Sequence, residues 1–387
     1  MNKWIKFALL TLSHIFVATL AVTVLLFIRQ PEDSKLERLQ DLLESRYVGE
    51  TDSVALQDAA ADAMVQAIGD RWSYYISAEE YASHMEQKKN AYVGIGVTIS
   101  MREDNTGFDV LLVEPGGPAQ EAGIRPGDIM THVEGQPVWE LGLESATAIV
   151  KGKEGTTVHL TFLRDGQTME LEVERRTIQV AVTTYEMLPG NIGYIKINNF
   201  NTKCADETIA AVDALRAQGA TALIFDVRNN PGGYVDELVE VLDYLLPEGV
   251  LFRSETYDGI VSEDKSDKKC VEMPMAVLYN GNSYSAAEFF AAALEEYDWA
   301  ITVGDPTSGK SRYQYTYDLG DGSAVNLSVG KYFTPKGVEL AAVGGLTPQV
   351  LVEVDEETAS LIYSGLLEKE NDPQLQAAVE ALKESAD

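Results

Sequence analysis

The sequence predicts an α/β protein built on a mainly parallel sheet, preceded by a β-rich module and a short helical region. Three observations carry that reading. From residue 190 onward β-like runs (NIGYIKINNF, ATALIFDVRNN, PMAVLYNG, WAITVGD) alternate with helical ones (ADETIAAVDALRAQG, YVDELVEVLDYLL, SAAEFFAAALEEY), the pattern of parallel strands covered by helices. Between residues 90 and 178 short β-like runs are separated by PGGPAQEAG, RPGD, KGKEG and DG turns, which reads as a β-rich module. Residues 34–47 and 53–69 repeat apolar positions every three or four residues, as amphipathic helices do.

Composition narrows the function. A length of 387 residues suits two or three domains. With 30 Lys plus Arg against 61 Asp plus Glu, the formal charge is -31, a field that repels phosphate backbones and argues against nucleic-acid partners. Two cysteines, Cys204 and Cys270, exclude a disulfide scaffold and a four-cysteine zinc site. They read equally as one disulfide or as two unrelated thiols. The four histidines (His14, His84, His132 and His159) are too scattered for a metal centre, so neither a metal nor another cofactor is expected.

Residues 7–28 (FALLTLSHIFVATLAVTVLLFI) carry no formal charge and as a helix would extend roughly 33 Å, enough for a bilayer core. Lys3 and Lys6 precede the run, and acidic residues come soon after it. The expectation is therefore 1–28 as a cytosolic tail and retained anchor, with the bulk of the chain outside the cytosol. A cleaved signal peptide is the weaker reading, because the apolar run is long and no A-x-A site ends it. His14 has no ionisable partner in the span and reads as neutral.

Asp52 or Ser53 is placed to cap the second helix, which Gly69 ends. Ser77 and Glu80 have the spacing of a capping box, so 78–88 should be a third helix. The whole region, 34–89, reads as scaffold or as the surface of a homo-oligomer. The β-rich module, 90–178, should contain short helices near 117–123 and 141–150. The α/β domain, 179–354, turns back to alternating β character at 313–333. The tail, 355–387, is helical, acidic and without a site signal.

Three segments invite chemistry. GDPTSGKS, Gly304 to Ser311, fits the G-x-x-x-x-G-K-[ST] phosphate loop, but such a loop must open a helix. The next residues, RYQYTYDLGDG, read as strand and hairpin, so Lys310 needs another role. FDVRNNPGG delivers Asp226 and Arg228 to a turn with Gly232 and Gly233. That turn reads equally as an oxyanion or anion site and as a tight connection. VLYNGNSYSAAEFF puts Ser283 and Ser285 at a helix start, where the dipole favours a developing negative charge. Against this, Ser285 and Glu288 have capping-box spacing. No histidine occurs in 160–387, so a serine nucleophile there needs another base. Lys310, in a Gly-flanked loop after the next strand, is the prime candidate.

These segments, with GDRWSYYISAEEY, GYIKINNF and GLTPQV, occur in the order found in the carboxyl-terminal processing proteases, which the chain resembles from about 36 to 352. The resemblance implies a ClpP/crotonase-like α/β core, an embedded PDZ domain and a Ser–Lys dyad. It implies Ser285 as nucleophile, Lys310 as general base, Gln314 as the residue orienting the lysine, and oxyanion donors at the backbone of Ala286 and of Gly232 or Gly233. It also implies that Gly94-Ile95-Gly96-Val97 is the loop that binds a peptide's terminal carboxylate. Tyr284 and Ala287 depart from the usual S-A-S-A-S-E segment, and bulky Tyr284 is expected either to narrow the cleft or to alter side-chain preference. Ser311 stands where a glycine is usual, which creates the phosphate-loop match. The expected function is a membrane-anchored extracytoplasmic serine endopeptidase acting on proteins with accessible C-terminal tails. The alternative is a catalytically weak PDZ scaffold.

Overall fold

A computed structural model describes residues 34–102 and 104–384. The expected anchor, 7–28, lies outside them, and among the described residues no helix is long and apolar enough to cross a membrane. The chain divides into two compact units, one ending at Tyr75 and one starting at Ile76.

The first unit holds two helices, α1 (Lys35–Arg46) and α2 (Ser53–Gln66). Ser34 and Glu37 form a capping box on α1, and the Asp52 carboxylate accepts the Val54 and Ala55 N–H groups at the start of α2. The Gln40 amide joins the pair through the Ser53 hydroxyl, at 2.8 Å. Neither helix has a buried residue, and Leu36, Leu39 and Leu42 of α1 are exposed.

The second unit opens with α3 (Ala78–Lys88), capped reciprocally by Ser77 and Glu80. The β-rich module comes next. Its main sheet orders strands β2 (Val97–Met101), β3 (Phe108–Val113), β4 (Ile129–Val133), β5 (Thr157–Arg164) and β6 (Gln167–Glu174), all antiparallel. Beside it, β1 (Ala91–Gly94) pairs with β7 (Arg176–Gln179). In β5 the alternation TVHLTFLR buries Val158, Leu160 and Phe162, as period-two side chains must on a one-sided sheet. Helix α4 (Pro118–Glu121) is short, and α5 (Val138–Val150) is kinked at Gly142, where φ is 76°.

The α/β region is a six-stranded sheet ordered β8 (Thr183–Leu188), β9 (Ile192–Ile197), β10 (Ala222–Asp226), β13 (Met275–Tyr279), β14 (Ala300–Gly304) and β17 (Val350–Leu351). Only the β8–β9 pair is antiparallel. The central strands ALIFD and MAVLY are buried along their whole length, because helices cover both faces. On one face, α6 (Cys204–Ala217), α7 (Val235–Leu245) and α8 (Ala286–Glu296) pack around Phe225, Val277 and Phe290. On the other, α11 (Pro373–Glu384) lays Leu375, Ala378 and Leu382 against Ile224, Ala276 and Leu278. A second, antiparallel sheet carries β11 (Gly249–Thr256), β12 (Val261–Ser266), β15 (Arg312–Asp318) and β16 (Ala324–Phe333). The short helix α9 (Leu340–Val343) and α10 (Glu356–Ser364) follow the two sheets' last long strand, β16.

The end of the chain is anchored by charge as well as by apolar packing. Arg228 is buried and bonds Asp226 (2.6 Å) and Asp372 (2.7 Å), and it also reaches the Gln374 side chain. The Tyr194 hydroxyl donates to Asp226 at 2.6 Å. Burial by itself pushes the Asp226 carboxyl up, but the Arg228 charge and hydrogen bonds outweigh it and hold the carboxyl below its usual range. Asp226 and Arg228 therefore fasten α11 to the sheet. Cys204, buried, and Cys270, half-buried, are both free thiols.

Candidate active site

Parallel strands deliver their loops to one edge, at the carboxyl ends. Here β10, β13 and β14 bring together the turn at 227–234, the turn at 280–285 and the loop at 305–311. Side-chain amides and hydroxyls lace the first two. The Asn229 N–H donates to Asn280 Oδ1 at 3.0 Å, and the Ser283 hydroxyl to the Val227 carbonyl at 2.7 Å. Ser283 is fully buried and also accepts the Asn280 N–H. It is a structural serine, unavailable as a nucleophile.

Ser285 stands immediately before α8, half-buried, with φ 60° and ψ -126°. A β-carbon-bearing residue held there stores about 1–3 kcal/mol of backbone strain. The surroundings leave no easy relaxation. Gly232, at φ 85°, packs so tightly that a Cβ on it would lie 2.7 Å from Ser285 Cβ and 2.8 Å from the Ala286 nitrogen. The paired-glycine turn is thus pressed against the serine, and the close approach requires glycine.

The two glycines do different work. The Gly232 N–H donates to Asn230 Oδ1 at 2.8 Å, and its carbonyl accepts from Phe200 at 2.9 Å. Gly233 bridges Phe200 in parallel-strand fashion, with Phe200 bonded to the residues on either side of it. That pattern turns the N–H of Gly233 away from Phe200. Ala286 opens α8, so its N–H is among those with no partner inside the helix.

Lys310 is nine-tenths buried, and its ammonium nitrogen lies 5.9 Å from the centre of the Tyr284 ring. The bulky departure from the usual segment therefore borders the lysine. The Lys310 carbonyl accepts the Tyr332 hydroxyl at 2.7 Å. Burial pushes that hydroxyl far above the ordinary phenol range, a rise that its hydrogen bond with the Ser285 side chain partly counters. Tyr332 is therefore tied to the lysine loop, while its ring stacks edge-on against Phe289 at 5.4 Å. The GLTPQV segment supports the loop from outside. Thr307 and Leu346 exchange two bonds, and a Cβ on Gly309 would lie 2.8 Å from the Gly345 nitrogen.

Glu288, one turn into α8, is legible in the sequence as half of a capping box and as the last residue of the S-A-S-A-S-E-like segment, with no role beyond the cap. The Ser285 N–H does donate to it, at 3.1 Å, but the same carboxylate also accepts from Thr307, Gly309 and Lys310. Gln314, at the start of β15, spends its two amide hydrogens on the Arg312 carbonyl (2.9 Å) and the Ser328 hydroxyl (3.1 Å). The phosphate-loop match fails as expected, since Ser311 leads into strand β15 rather than a helix.

In the β-rich module, Gly94, Ile95, Gly96 and Val97 line a cleft of about 530 Å³ together with Thr147, Val150 and Lys151. The Ile95 and Gly96 carbonyls are tied back to Ala119 and Glu114, each at 2.9 Å. Within its sheet β2 is an edge strand, the form that accepts a peptide as an added strand. Asn198, Asn199, Asn201 and Pro231 line the same cleft, and Pro231 directly precedes Gly232.

Residues 191–352 match Peptidase family S41 and residues 93–174 match the PDZ domain. The carboxy-terminal processing protease CtpA of Bacillus subtilis is 34% identical over 332 residues, covering 84% of this chain and 70% of that protein. The chain belongs to the carboxy-terminal processing proteases of family S41. It is a serine-type peptidase. A probable CtpA-like serine protease of Staphylococcus aureus is 30% identical over 369 residues, covering 91% of this chain and 73% of its own. A putative S41 protease from Bacteroides fragilis shares the fold at a TM-score of 0.58, with 17% identity and coverage of 93% and 100% of the two chains. Among the described residues of this S41 peptidase, no group of three His, Cys, Asp or Glu is placed to hold a metal ion.

Proposed function

We propose that the protein is a single-pass membrane-anchored endopeptidase that works outside the cytosol on proteins carrying accessible C-terminal tails, through a Ser285–Lys310 dyad on a ClpP/crotonase-like core. The observation that carries the reading is the strained serine at a helix start, its N–H and the Lys310 N–H accepted by the same Glu288 oxygen. The uncharged run at 7–28 after Lys3 and Lys6 supports the anchor and its orientation. The cleft at Gly94–Val97 supports tail recognition, and the exposed leucines of α1 support association between copies.

In this mechanism the Ser285 oxygen attacks the scissile carbonyl carbon while Lys310 takes the hydroxyl proton. The role needs a neutral amine, and Lys310 is nine-tenths buried. The oxyanion is received by the N–H groups of Ala286 and Gly233 at the positive end of α8. Gly232 serves as the close-packed hinge between them. Lys310 then returns the proton to the leaving amine, and water resolves the acyl-enzyme by the reverse route. Gln314 orients the lysine through its carbonyl oxygen, since its amide hydrogens are already used.

The test is incubation of the purified protein with an unfolded polypeptide, read by mass spectrometry. Ser285→Ala, Lys310→Ala and Lys310→Arg should each abolish cleavage with the fold intact, the last because a guanidinium does not deprotonate. An active Lys310→Arg removes the lysine from the base role. A wild-type protein that cuts nothing leaves the PDZ scaffold as the function.

A further inference from the structure

We propose that Glu288 is a positioning residue for the cleavage reaction, its carboxylate holding the nucleophile turn and the lysine loop in one fixed relation. The inference rests on the Ser285–Lys310 dyad. Glu288 is completely buried. Its Oε2 accepts the Ser285 N–H at 3.1 Å and the Lys310 N–H at 2.9 Å. Its Oε1 accepts the Gly309 N–H at 2.6 Å and the Thr307 hydroxyl at 2.5 Å.

A helix cap needs only the first of these bonds. The other three reach across to a loop 19 to 22 residues further along the chain. Three of the four donors are backbone N–H groups, which cannot be turned round, so both oxygens must accept. A buried carboxylate is costly unless its hydrogen-bonding capacity is met, and here four donors meet it. One consequence falls on the serine, whose strained backbone is held partly through the bond to its own N–H. The other falls on the lysine, because the same oxygen fixes the backbone from which its side chain starts. An error of about 1 Å in such a relation costs about 10²-fold in rate.

Glu288→Gln separates this role from mere packing. Thr307 is the one donor that can rotate to accept, so the new amide nitrogen should face Thr307 and Gly309. The Gly309 N–H then loses its acceptor, one residue before the lysine. Glu288→Asp keeps the charge but is one methylene too short to span both loops. The full chain, purified in detergent, is assayed below its melting temperature for kcat, for KM, and for the rate at which a fluorophosphonate labels Ser285. For both variants kcat should fall about 30- to 100-fold with KM within threefold of wild type, and labelling should fall in the same proportion. A residue that only stabilises the fold would lower Tm and leave kcat and labelling of the folded enzyme within threefold, which overturns the proposal. If Glu288→Gln has no folded baseline, Glu288→Asp decides by the same criteria. Ser285→Ala is run alongside: cleavage surviving in it refutes the dyad reading itself. A dead Ser285→Ala beside fully active Glu288 variants refutes only the positioning role.

Discussion

Gly232→Ala isolates the contact between the glycine turn and Ser285. The new Cβ would sit 2.7 Å from Ser285 Cβ, 2.8 Å from the Ala286 nitrogen and 2.8 Å from the Tyr284 carbonyl oxygen. Comfortable non-bonded separations start near ~3.5 Å, so each contact must open by about 0.7–0.8 Å. Two of the three atoms are backbone, and no rotamer change relieves them; the turn or the start of α8 has to move. A misplacement of that size should lower kcat by about 10²-fold. Alanine at φ 85° adds about 1–2 kcal/mol of backbone cost, or a Tm lower by roughly 2–8 °C for a domain of this size. The control is Gly219→Ala, at φ 94° with nothing within 4 Å of its Cβ position. It should show a similar Tm loss with kcat unchanged. Peptide cleavage under saturating substrate and a thermal melt read both quantities. A folded Gly232→Ala enzyme with kcat within threefold of wild type would refute the reasoning, as would equal kcat losses in the two variants.

Tyr332→Phe keeps the ring against Phe289 and Phe252 but removes the hydroxyl bonded to the Lys310 carbonyl; kcat should fall about tenfold, for a stability loss of about 1 kcal/mol. Asp372→Ala leaves Arg228 buried without one of its two carboxylates and should cost about 3–5 kcal/mol in denaturant unfolding; a loss under 1 kcal/mol would show that α11 is held by its apolar face alone. Because Asp226 is held below its usual range, its contribution is fully present above the unfolded value of about 4 and is lost as pH falls through the lower folded value. Wild-type stability should therefore decline below about pH 4, and Asp226→Asn, already weaker at neutral pH, should decline less steeply. Amidating the C-terminus of a substrate peptide should raise KM or lower kcat/KM if Gly94–Val97 reads the carboxylate, and equal rates across several terminal residues would end that role.

Local signals are written plainly in the chain and global ones are not. Asp52, Ser77 and Glu80 announce helix starts because a cap is a contact between residues two or three apart. The alternation of TVHLTFLR announces its buried face for the same reason. Lys310 emerges as the candidate base by elimination, through the missing histidines, and its loop does join the Ser285 turn at one sheet edge. Ser283 and Ser285 differ only in depth: one hydroxyl is bound to the Val227 carbonyl 56 residues away. The turn at 226–233 is balanced, on spacing, between anion site and tight connection. It divides by residue, because Arg228 is committed to partners 144 and 146 positions later, while Gly232 packs against Ser285. Glu288 shows most clearly why spacing misleads. Its capping-box position is a sound reason to read it as structural, and it does cap. Nothing within one turn of helix reveals that the same carboxylate, once β13 and β14 lie side by side, also reaches Gly309 and Lys310. A residue whose local duty is already satisfied can still carry a long-range one, so a good local explanation does not discharge a buried charged group until every donor around it has been named.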